Sequence, residues 1–225
     1  MTKLYHFWWS PEAQRVRLAL GYKQIKYDDR PIAFDDDQTF YELGIARQVP
    51  ILQLDDGALL TDSLSILQKL DHYWPQVPIF TGVVPARDWE DLLAWQQKAA
   101  ALLGRLQAAV LPAYRGIGDS DEALASCKAE VRFRLGSSIE ELANDRYAAF
   151  NQLLQLAQLK KLASRVAKHR FYFDKPSAAD MLLAADLFAL QLLDGATLPI
   201  DLMYYIERVE DTCRTSLREC LLITT

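Results

Sequence analysis

Two helix starts carry the residue types that could do chemistry. The first is Ser10-Pro11-Glu12, directly after the aromatic run Lys3-Leu4-Tyr5-His6-Phe7-Trp8-Trp9. Serine caps, proline fits the first helical position, and glutamate suits the positive end of the helix dipole. A hydroxyl at such an end, where the dipole favours anions, can donate to a negatively charged ligand atom. The second is Asp62-Ser63, an acid and a hydroxyl opening another helix. His6, His72 and His169 are scattered and form no zinc-like cluster. Cys127, Cys213 and Cys220 are odd in number and widely spaced, with no C-x-x-C pair, which is a reduced, intracellular pattern.

These starts need a frame. Residues 3–9 read as a buried strand, followed by a helix to about Gly21 and a short strand near 25–31. An acidic loop then leads to two strands, 49–54 and 58–61, around an Asp55-Asp56-Gly57 turn. A helix over 62–73 stops at Pro75. The order predicts a small mixed sheet with helices packed on it. Residues 75–87 hold three prolines and a glycine and read as a linker. Beyond it the pattern is helical: 88–114, a weaker stretch over 121–146 with a break at Gly136, 147–169, and a last helix over 199–222. Between the last two, Ser177 and Asp180 make a capping box for an apolar helix, Met-Leu-Leu-Ala-Ala-Asp-Leu-Phe-Ala-Leu-Gln-Leu-Leu, expected at the centre of its domain.

The chain has 225 residues, 51% hydrophobic and 24% charged, with a formal net charge of -5. That suits a soluble globular protein and offers no basic tract for nucleic acid. The N-terminus lacks a secretory layout and no apolar run reaches a membrane span, so a cytoplasmic location is expected.

The run Ser10-Pro11-x-x-x-Arg15-Val16-Arg17-Leu18-Ala19-Leu20, then Gln48-Val49-Pro50-Ile51-Leu52, Asp56-Gly57 and Thr61-Asp62-Ser63, resembles the glutathione-binding half of the soluble glutathione transferases, especially their serine-type and cysteine-type classes. Pro176-Ser177-Ala178-Ala179-Asp180 resembles that family's second-domain box, while residues 85–170 match only as helical pattern. The resemblance implies a thioredoxin-like N-terminal domain (1–76), a linker (77–86) and an all-helical domain (87–225). It implies glutathione as co-substrate, a small electrophile, no metal, and a homodimer.

The resemblance also assigns residues. Ser10 matches the catalytic serine or cysteine that stabilises the thiolate. Pro50 matches a cis-proline that turns the Val49 backbone toward the cysteinyl part of the tripeptide. Asp62 and Ser63 match the pair that takes the γ-glutamyl ammonium and carboxylate. Gln48 matches a position that reaches the glycyl carboxylate. Trp8, Trp9 and Tyr114 are candidates for an apolar co-substrate wall, whereas Tyr5 falls inside the strand and reads as core. Glu12 departs from the relatives, since an acid close to the sulfur opposes thiolate formation. With Gln48 and the short Asp62, it leaves open a non-catalytic binding module like the stringent-starvation-type proteins. A glutathione-dependent isomerase or peroxidase is a further alternative; the absence of a Ser-Ser-Cys run points away from the isomerase class. No cysteine stands at a thiol-redox position.

Overall fold

A parallel pair of strands needs a crossover, and the first helix supplies it. In the computed structural model, which describes residues 1–222, β1 (Lys3–His6) runs parallel to β2 (Asp28–Pro31), with α1 (Pro11–Tyr22) between them in sequence. β3 (Ile51–Gln53) pairs antiparallel with β1, and β4 (Leu59–Thr61) with β3, giving the order β2-β1-β3-β4. Leu4 stands opposite both Asp29 and Leu52. The β3–β4 hairpin turns at Gly57, whose φ of 88° is costly for a residue with a Cβ. Asp56 accepts the Ala58 N–H across the same turn at 3.0 Å. This is a thioredoxin-like sheet, and among the described residues no regular strand follows it.

The acidic segment after β2 is not wholly loop. α2 (Gln38–Leu43) forms there, with Asp36 accepting from Thr39 N at 3.1 Å and Gly44 closing it in the left-handed region. α3 (Ser63–Tyr73) follows β4. The Pro-rich segment after it carries no helix or strand as far as Pro85. Asp71 pins that segment, accepting the N–H groups of Ile79 (2.7 Å), Phe80 (3.2 Å) and Thr81 (3.0 Å), with Lys23 Nζ at 3.0 Å.

The helical half consists of α4 (Ala86–Ala108), α5 (Asp121–Leu135), α6 (Ile139–Asn144), α7 (Arg146–Leu156), α8 (Leu159–His169), α9 (Ala178–Phe188) and α10 (Ile200–Cys213). Three boundaries differ from the sequence reading, while the break expected at Gly136 is present. The first long helix stops at Ala108, and Pro112 sits in a short 3-10 turn, Leu111–Ala113. Gly136 ends α5, and Ser138 with Glu141 caps a separate α6. The expected 147–169 helix is two helices, because the Trp95 indole N–H donates to the Ala157 carbonyl at 2.7 Å and Gln158 turns to a φ of 49°. α10 ends at Cys213, where Arg214 turns to a φ of 53°, and Leu221 instead forms an isolated bridge with Tyr114.

α9 is buried at every position. Asp180 closes its capping box, accepting the Ser177 N–H at 2.9 Å, and also accepts the Tyr205 hydroxyl at 2.7 Å. One apolar cluster runs from Leu4 and Leu52 of the sheet through Val16 and Leu18 of α1 to Leu182, Leu187 and Tyr205. α1 therefore lies between the sheet and α9, and its N-terminus opens at the seam between the two halves.

Candidate active site

That seam holds a cleft of about 520 Å³. Trp9, Ser10, Glu12, Arg15, Gln48 and Val49 form one wall. The opposite wall is one face of α4, where Gln96, Gln97, Ala100, Leu103, Gly104 and Gln107 recur at helical spacing. Arg47, Glu130 and Arg134 stand at one side and Asp186 of α9 at another.

Ser10 is buried and caps α1, its Oγ accepting the Ala13 N–H at 3.2 Å. Its own hydroxyl donates to Glu12 Oε2 at 3.2 Å. Glu12 is half-exposed. Behind them Arg15 is buried among three partners. Its Nη2 lies 2.5 Å from Asp186 Oδ1 and 3.9 Å from Glu12, and its Nη1 donates to Ser63 Oγ at 3.3 Å. Gln96 donates to the other Asp186 oxygen at 2.8 Å. Burial pushes the Asp186 carboxyl above its ordinary range, against the pull of Arg15 and the Gln96 amide, while the nearby Glu12 charge adds to the rise.

The Val49–Pro50 peptide is cis. Val49 is half-buried on the cleft wall, Gln48 is exposed beside it, and Pro50 is buried behind. Asp62 is exposed and caps α3 by accepting from Ser65 N at 2.8 Å, with φ 70° and ψ 115°. A non-glycine residue seldom adopts that backbone, and such positions gather at ligand sites. Ser63 is buried next to Arg15, and neither Asp62 nor Ser63 lines the cleft itself; both stand at the α3 start behind the Arg15 edge of its floor.

Two of the three proposed co-substrate aromatics do not reach the cleft. Trp8 is buried, flanked by the guanidinium groups of Arg17 and Arg115 at 4.6 and 4.9 Å from its ring, and belongs to the main core. Tyr114 is also buried, because the 3-10 turn at Pro112 carries it under the C-terminal segment. Trp9 alone lines the cleft, stacked on Phe7 at 5.5 Å, with its carbonyl accepting from Gln107 at 2.6 Å. The expected apolar wall is therefore largely polar, with three glutamines on α4. Arg15, Gln96 and Asp186 were not assigned from sequence. The signal for Asp186 was an acid beyond the capping turn of a helix otherwise apolar all round.

No cysteine lines the cleft. All three thiols are buried, and burial pushes Cys127 and Cys220 up to about 12 and Cys213 higher still. Among the described residues no group of three or more metal-ligating side chains comes together, and no helix is long and apolar enough to cross a membrane.

Residues 4–78 match the family described as glutathione S-transferase, N-terminal domain. A maleylacetoacetate isomerase of Pseudomonas aeruginosa is 28% identical over 187 residues, which cover 75% of this chain and 82% of that protein. A maleylacetoacetate isomerase of Dictyostelium discoideum is 33% identical over 101 residues, covering 42% of this chain and only 44% of that protein. Among solved structures, glutaredoxin 2 of Salmonella typhimurium in complex with glutathione superposes with a TM-score of 0.83 at 19% identity over 99% of both chains, a likeness of fold. A maleylacetoacetate isomerase of Methylobacterium extorquens, with malonate and glutathione bound, gives a TM-score of 0.59 at 25% identity, covering 97% of this chain and 95% of that one.

Proposed function

The chain belongs to the soluble glutathione S-transferase family, and from that premise we propose that it binds glutathione in the seam cleft and adds the sulfur to a small electrophile. The observation that carries this reading is the position of the Ser10 hydroxyl, at the start of α1 and on the same wall as the Val49 backbone before cis-Pro50. In that pose Val49 pairs with the cysteinyl backbone as an added strand, and Gln48 meets the glycyl carboxylate. Asp62 takes the γ-glutamyl ammonium. Ser63 and the first amides of α3 take the γ-glutamyl carboxylate. Because Arg15 donates to Ser63 Oγ, the Ser63 hydroxyl proton is left to point at that carboxylate.

Gln96, Gln97 and Gln107 favour an electrophile that carries hydrogen-bonding groups. Two outcomes follow from one addition. Sulfur adding to an activated double bond and staying gives a conjugate; expulsion after rotation about the former double bond gives a cis–trans isomerase. The names of the Pseudomonas and Methylobacterium relatives favour the second as much as the first. The buried thiols lend no support to redox chemistry by the chain's own cysteines. We carry with this reading a division at 1–76, 77–86 and 87–225, a homodimer, a cytoplasmic location, and no nucleic-acid or membrane partner.

Calorimetry with glutathione, beside assays of an aryl halide and of an activated cis-alkene, tests the proposal. Binding by the wild type, with turnover lost in Ser10→Ala, supports it, and the product distinguishes conjugate from isomer. Binding without turnover of either substrate supports the non-catalytic module instead. No binding at millimolar glutathione overturns the reading.

A further inference from the structure

We propose that a second cavity, between α4 and α8, binds a small amphiphilic anion: a hydrocarbon body carrying one carboxylate. The cavity measures about 560 Å³, a size common among small-molecule sites, and shares no lining residue with the seam cleft. Leu92, Leu162 and Leu183 are buried at its floor, and the half-buried rings of Trp95 and Tyr172 stand beside them. The space opens at the break between α7 and α8. There the Trp95 indole takes the Ala157 carbonyl, and Gln158, which also lines the cavity, turns to a φ of 49°. A left-handed backbone is uncommon for a residue with a Cβ, and such positions gather at ligand sites.

The rim is positive in a chain whose net charge is -5. Lys161, Arg165 and Lys168 recur at helical spacing along the exposed face of α8 and all three line the cavity. Among the described residues none of the three pairs with a carboxylate, and the adjacent His169 is taken by Asp174 at 3.1 Å. Asp91 is the one acid among the lining residues described. Arg165 is held in place. Its Nε donates to the Tyr172 carbonyl at 2.8 Å and its guanidinium lies 4.3 Å from the Tyr172 ring, which leaves both Nη groups to meet an anion. A carboxylate is thus answered at the rim, while the leucines and Trp95 take its hydrocarbon out of water. A lipid bilayer fits less well, because the apolar face of α8, from Leu159 to Val166, is already buried in the core and has nothing to insert.

The test is calorimetry of the full chain with dodecanoate and with dodecanol, its uncharged twin, each kept below the concentration at which it self-associates. The wild type should bind one dodecanoate per chain, about tenfold more tightly than dodecanol. Lys161→Gln/Lys168→Gln alters only exposed side chains; it should weaken dodecanoate roughly tenfold and leave dodecanol unchanged. Arg134→Gln, which removes a cation of the seam cleft, should change neither. No binding of dodecanoate, equal affinity for the two probes, or a loss in Arg134→Gln that the lysine variant does not share overturns the proposal, the last by moving the anion to the seam. Co-sedimentation with phosphatidylglycerol vesicles by a chain that ignores free dodecanoate overturns it too, by giving these cations to a membrane surface.

Discussion

Removing the Asp186 carboxylate leaves a guanidinium charge stranded between the two halves of the chain. The Arg15 and Asp186 side chains are each 5% exposed, and Arg15 Nε has no partner among the described residues. In Asp186→Ala, Arg15 keeps only Ser63 and a distant Glu12, and Gln96 loses its acceptor. Breaking a buried pair from one side costs about 3–5 kcal/mol, and the lost amide bond about 1 kcal/mol more. Glu12 can swing inward and return part of this, so we expect a net loss of about 4 kcal/mol. For a chain of this size that lowers Tm by about 8–16 °C, at about 2–4 °C per kcal/mol. Urea unfolding of Asp186→Ala beside Arg15→Met/Asp186→Leu is the assay. The double variant, which removes both charges and fills their space, should return to within about 1 kcal/mol of the wild type. A loss below about 1 kcal/mol in Asp186→Ala would refute the argument that the two halves are tied by this ion pair.

Other consequences can be checked directly. The Asp71 carboxyl is buried, which alone would raise its pKa, yet the N–H groups of Ile79 and Thr81 and the Lys23 ammonium hold it below the usual range. Its contribution to stability is therefore full above the unfolded-state value near ~4 and lost as pH falls through the lower folded value. Asp71→Asn should flatten that acid limb of the unfolding free energy, and an unchanged limb would count against the assignment. With thiols pushed up to about 12 at Cys127 and Cys220, and higher at Cys213, the native chain should bind no thiol reagent at mildly alkaline pH and three equivalents when unfolded. Fast labelling of the folded protein would contradict the burial. A Cβ at Gly21 would collide with the Cys213 carbonyl oxygen and Thr215 Oγ1, so Gly21→Ala should cost about 1–3 kcal/mol in urea unfolding. A neutral result would mean that α10 yields easily there.

Where the signal was local, the sequence was readable. The serine, proline and glutamate that open α1, the Asp-Gly hairpin, and the Ser177–Asp180 box each act within a few residues of themselves. The failures share a cause at longer range. No neighbouring residue announces that α7 stops at Leu156; the carbonyl that follows is taken by Trp95, 62 residues earlier in the chain. Tyr114 has an aromatic ring suited to a pocket wall, but the turn at Pro112 decides where that ring goes. Arg15 stood inside the motif that identified the family, and Asp186 inside the most apolar helix. Each was conspicuous, yet their pairing spans 171 residues. The short α2 was hidden by its acidic approach, although Asp36 and Gly44 are ordinary start and stop residues.

The position of α1 bears on how the molecule is made. Every residue from Ala13 to Leu20 is buried, on one side by strands synthesised within the first sixty-odd residues and on the other by a helix that begins only at Ala178. As the polypeptide leaves the ribosome, the sheet can assemble early, but Arg15 must wait for its counter-charge until α9 has emerged. A nascent or truncated N-terminal fragment would carry the serine, the turned proline and the acid–serine pair, yet would expose an apolar flank studded with unpaired arginines. Competence to hold a tripeptide is on this account acquired only once α9 has joined the sheet.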